Sequence, residues 1–70
     1  MGNRIPRKFT KLTGEMMVNT TVSKIGDVMH VFKNDCSTGY LALNTRTKEY
    51  AYMFASMLRN PELFKLVSVE

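Results

Sequence analysis

The stretch Thr47–Leu58, TKEYAYMFASML, constrains this chain more than any other, because it alone is long and apolar enough to read as a helix that closes a core. At about 100° per residue, Tyr50, Ala51, Met53, Phe54, Ala55, Met57 and Leu58 share one broad arc, and Lys48, Glu49, Tyr52, Ser56 and Arg59 take the other side. Thr47, Thr45 or Asn44 offers an N-cap oxygen. Asn60-Pro61 ends the segment, since the residue before proline is pushed out of the α region. The spacing therefore predicts a helix over 47–58, with Tyr52 on its polar side.

The chain before and after it reads as strands. Glu15–Lys24 alternates Met16, Val18, Thr20 and Val22 against Met17, Asn19, Thr21 and Ser23, the pattern of a half-buried strand. Ile25-Gly26-Asp27-Val28 fits a type II′ turn with Gly26 at the position that needs positive φ. A second strand returns over Val28–Lys33, and NDCSTG, Asn34–Gly39, is turn chemistry. Tyr40–Leu43 is a short third strand, and Phe64–Val69 a last one beyond a possible helical turn at Asn60-Pro61-Glu62. The predicted fold is α+β: a small mixed sheet in the order β-β-β-α-β with the helix on one face and a right-handed crossover into the final strand. The two-residue turn would set Ser23 opposite His30, Val22 opposite Val31 and Thr21 opposite Phe32. Ile25, Val28, His30 and Phe32 then gather on a second face that one helix cannot cover. That face is left for the N-terminal segment, a shifted register, a second copy in a homodimer, or a partner.

Seventy residues make one domain, which buries only about 60% of its unfolded surface. Cys36 is the single cysteine, so no internal disulfide forms, and a lone thiol fits a reduced, cytoplasmic setting. No apolar run approaches the length of a membrane span, and no signal-peptide core is visible. Charge is unevenly placed. Of ten basic and six acidic residues, Arg4, Arg7, Lys8 and Lys11 lie in a leading stretch without an acid, so the net +4 belongs to that stretch and the remainder balances. Residues 1–13 thus read as a basic arm carrying Ile5, Phe9 and Leu12 as anchors, and residues 14–70 as the folded domain.

Chemistry is sparse. His30 is the only histidine, mid-strand, with no nucleophile or carboxylate placed beside it by the sequence. Cys36 beside Asp35 lacks an oriented base. One Cys, one His and scattered carboxylates make no closed metal set, and the isolated glycines make no phosphate loop, so neither metal nor cofactor is expected. TRTKEYAYMFASML resembles the last helix of double-stranded-RNA-binding domains over Thr47–Leu58 only, and the first helix of that family has no counterpart here.

Two functions remain, neither enzymatic. In the first, a regulatory protein contacts nucleic acid non-specifically through Arg4, Arg7, Lys8 and Lys11, with Arg46, Lys48 and Arg59 extending the phosphate-contacting surface. In the second, a modulator or inhibitor of the type small phage or mobile-element genes encode docks on a partner protein. It would use Ile25, Val28, His30, Phe32 and Tyr52, or an edge strand. No membrane partner is expected.

Overall fold

A computed structural model describes residues 4–6, 8–33 and 39–70. The elements are β1 (Leu12–Met16), β2 (Val28–Lys33), β3 (Gly39–Asn44), β4 (Tyr50–Phe54), α1 (Ala55–Arg59) and β5 (Phe64–Val69). They build one five-stranded sheet in the order β4-β3-β2-β1-β5, and every pairing in it is antiparallel. The domain is therefore mostly sheet with one short helix, and the mixed sheet expected from the sequence is corrected to an antiparallel one.

The largest departure is at 47–58. Only Ala55–Arg59 is helical; Tyr50–Phe54 is a strand paired to β3. YAYMF satisfies both periods, because Ala51 and Met53 face the core either as alternate strand positions or as members of a helical arc. The turn before it decides. Asn44 N–H donates to the Glu49 carbonyl and Lys48 N–H to the Asn44 carbonyl, while the Asn44 Oδ1 accepts from the backbones of Arg46 and Thr47. Lys48 takes a positive φ of 64°. This tight turn sends the chain straight back along β3, where aromatic and β-favouring residues suit a pleated surface. With β4 in place, the helix begins after Phe54, without a side-chain cap, and none of Asn44, Thr45 or Thr47 caps it. It ends at Asn60, as the proline dictates. The Asn60 carbonyl then accepts from Leu63 and Phe64, and its side chain accepts from Glu62. The resemblance to an RNA-binding helix ends here as well, since its first half is strand.

The first hairpin is also displaced. β1 starts at Leu12, before the expected strand, and residues 17–27 form a long loop in place of a two-residue turn. Thr and Asn side chains draw that stretch away from a ladder: the Thr20 hydroxyl accepts from the backbones of Val22 and Ser23, and Asn19 accepts from Ile25. Gly26 does adopt a positive φ, 90°, but as third residue of a Lys24–Asp27 turn closed by Asp27 N–H to the Lys24 carbonyl. That is a type II arrangement. The register becomes Leu12 opposite Val31, Thr13 opposite His30 and Glu15 opposite Val28.

Leu12, Met16, Met29, Val31, Ala42, Met53, Leu58 and Phe64 form the buried core. The short helix touches both edge strands, β4 and β5, so the sheet curls over this core with α1 bridging its two ends. Between β1 and β5 the register shifts at Thr13/Gly14, where the Phe64 ring lies against the bare Gly14 backbone.

The arm is docked on the body. Ile5 and Phe9 pack against the core, and Phe9 stacks on Tyr40 with centroids 5.8 Å apart. Thr10 and Lys11 donate to the Glu70 carbonyl, and Glu70 returns a bond to Lys11. Among the described residues, no helix is long and apolar enough to cross a membrane.

Candidate docking face

Alternate residues of a strand share a face. On β2, β3 and β4 the inward positions are Met29, Val31, Ala42, Asn44, Ala51 and Met53. The outward ones are Val28, His30, Phe32, Leu41, Leu43, Tyr50, Tyr52 and Phe54. Register makes these contiguous: His30 lies opposite Leu43, Phe32 opposite Leu41, Leu43 opposite Tyr50 and Leu41 opposite Tyr52. The middle of this surface is half-buried by its own neighbours, while Tyr50, Tyr52 and Phe54 at its margin are 60%, 67% and 59% exposed. It ends at β1 and β5, where Glu15 stands opposite Lys65 and Thr13 opposite Ser68.

Of the partner-contacting residues read from the sequence, Val28, His30, Phe32 and Tyr52 come together here. Ile25 does not; it sits in the Lys24–Asp27 turn, exposed. The arm packs on the core side of the sheet, through Tyr40, and leaves this outer face uncovered among the described residues. Leu41, Leu43, Tyr50 and Phe54 are additions. A strict two-residue period across YLALN and YAYMF was the available signal, masked at Tyr50 and Phe54 by the equally good helical arc.

The cations are dispersed. Arg46 closes a fork on Asp27, Nε to Oδ1 at 2.7 Å and a terminal nitrogen to Oδ2 at 3.0 Å. Asn44 Nδ2 and the Lys24 amide each donate to Asp27 Oδ2 at 2.9 Å. The Arg46 hydrogen bonds, then those from Asn44 and Lys24, hold the Asp27 carboxyl far below its ordinary 3.8, and Asp27 in turn raises Arg46. This cluster latches the 17–27 loop to the β3–β4 turn, which gives Arg46 a structural occupation. Lys11 pairs with Glu70 at 3.1 Å. Arg4 and Lys8 are exposed on the docked arm, and Arg7 lies outside the described residues. Lys48 precedes β4 and Arg59 closes α1, so the strand separates them instead of a helix gathering them with Tyr52.

His30 lies opposite Thr13 and Leu43 on its neighbouring strands, so no carboxylate stands directly across from it. Asp35 and Cys36 lie outside the described residues. Among the described residues no three His, Cys, Asp or Glu side chains group as metal ligands. Comparisons with protein-family models, with curated proteins and with solved structures give no match.

Proposed function

We propose that this chain is a non-enzymatic docking module that binds a partner protein through the outer face of β2, β3 and β4. One observation carries the reading: eight apolar or aromatic-type positions, Val28, His30, Phe32, Leu41, Leu43, Tyr50, Tyr52 and Phe54, are contiguous in register on a face that no described element covers. Soluble monomers rarely leave such a surface open, and interface centres are enriched in aromatic residues.

Nucleic-acid contact is the second reading, and exposed Arg4 and Lys8 favour it. It has lost part of its surface, because Lys11 and Arg46 are engaged with Glu70 and Asp27. Deleting residues 1–13 would not separate the two readings, since it removes Ile5, Phe9 and Leu12 from the packed body. Charge reversal does separate them. In affinity capture from the source cell, docking through the face requires the same partner protein to be retained after nuclease treatment and by an Arg4→Glu/Lys8→Glu variant. Release of the partner by either would transfer the function to a polyanion.

A further inference from the structure

The edge strand beside this face has its own recognition chemistry. In an antiparallel ladder, residues bonded to the neighbouring strand alternate with residues whose N–H and C=O point away. Asn44 N–H bonds the Glu49 carbonyl, and the β3–β4 register runs on from that pair, so Ala51 and Met53 address β3. Tyr50 and Tyr52 therefore present their backbone groups at the free side of β4, which is the terminal strand of the sheet. No other backbone or side chain among the described residues takes them up. Next to this edge, between β4, α1 and the 17–27 loop, lies an open, mainly apolar pocket of about 110 Å³. Met16, Met29, Met53 and Met57 contribute to its lining, with Val22 on the loop side and Ala51 on the strand side. It is smaller than the roughly 300–1,000 Å³ of ordinary small-molecule sites. Its size suits one aliphatic side chain, and thioether linings adapt to whatever side chain arrives.

We infer that β4 accepts an extended acidic segment of the partner as an added strand, with one aliphatic side chain of that segment seated in the methionine-lined pocket. This rests on the protein-docking reading above and specifies the partner element that docking uses. The backbone of Tyr50 and Tyr52 supplies main-chain pairing, and the pocket supplies selection at one alternate position. The next position along the added strand faces outward, against Tyr50, Tyr52 and Phe54. Lys24 on the loop, Lys48 before the strand and Arg59 at the end of the helix are exposed, with Glu49 a local counter-charge. This local balance of three cations against one carboxylate selects an acidic segment over a basic one. It also disfavours a second copy of this chain at the same edge.

The test uses the whole chain and synthetic unstructured peptides in which Asp and Glu flank a central Leu, with Lys-for-acid counterparts as controls. Amide exchange followed by NMR reads the edge directly. In the free protein Tyr50 and Tyr52 amides exchange fast and Ala51 and Met53 slowly; the acidic peptide should slow Tyr50 and Tyr52. Methylating one pairing amide of the peptide should weaken binding about tenfold. Val22→Asp, at an exposed wall of the pocket, should weaken it by a similar factor with amide dispersion intact. Three results would each overturn the inference: peptide-induced shifts confined to Phe32, Leu41 and Leu43; protection of Tyr52 that rises with protein concentration in the absence of peptide; or no binding by any peptide in the panel. The first of these leaves docking on the sheet face standing, so edge recognition and the broader reading fail separately.

Discussion

Gly14 is the residue at which backbone packing leaves no freedom. A Cβ there would run into the Phe64 ring and stand 2.6 Å from the Lys65 carbonyl oxygen, and neither neighbour has space to retreat, because Phe64 is wholly buried. Gly14→Ala is expected to cost about 3 kcal/mol in urea unfolding, the upper range for overpacking. Asn44 is buried and uses both ends of its amide, donating to Asp27 and accepting from Arg46 and Thr47. Asn44→Ala should lose about 2 kcal/mol by the same measurement. Asp27 adds a pH signature. Its folded carboxyl titrates below its ordinary 3.8, so its stabilisation is complete above about pH 5 and drains away as pH falls through the unfolded value toward the folded one. Unfolding midpoints measured between pH 7 and pH 3 should fall less steeply for Asp27→Asn than for the natural chain. None of these three roles was legible from the sequence, because each depends on partners many positions away. Asp27 and Gly26 did stand out as turn residues, and the positive φ at Gly26 was correctly located, one step along a different turn.

At the scale of elements, strands β2, β3 and β5 were readable almost to their ends, since each combines alternation with turn residues on both sides. The 47–58 segment was not. Ala51 and Met53 are core positions under either period, and the choice falls to the Asn44–Glu49 turn, whose Lys48 in the left-handed region leaves no glycine as a signal. Two proline substitutions discriminate the outcomes. Ala51 donates to β3, whereas Tyr52 N–H points to the free edge, so Ala51→Pro should cost about 3 kcal/mol or more and Tyr52→Pro distinctly less. In a continuous helix both would be similarly damaging. Comparing the two melting curves, with the natural chain as reference, settles which element this is. The first hairpin was misread for a related reason. Asn19 and Thr21 alternate acceptably with Val18, Thr20 and Val22, yet the Asn19 and Thr20 side chains bond the nearby backbone and make a loop.

Across the whole molecule, the sequence pointed to a second sheet face that one helix cannot cover, and of the four residues it placed there Val28, His30 and Phe32 do share a face while Ile25 does not; Tyr52, expected on a helix, joins them from β4. Of the occupants the sequence left open for that face, the described part of the leading stretch is not one. Ile5 and Phe9, the expected anchors, pack on the core side, and Phe9→Ala should lower stability by about 1–3 kcal/mol through lost burial and the stack on Tyr40. Among the described residues, what remains open is an apolar face bounded by an edge strand whose Tyr50 and Tyr52 backbone groups are unpaired. The decisive measurement is calorimetric titration of the nuclease-treated, captured partner protein with the natural chain, with Leu41→Asp and with Lys8→Glu, all three shown to be folded. Docking through the face predicts a loss near hundredfold for Leu41→Asp, as expected for a charge placed at the centre of a desolvated contact, and a change within about threefold for Lys8→Glu. Affinity indifferent to Leu41→Asp and lost with Lys8→Glu would contradict it.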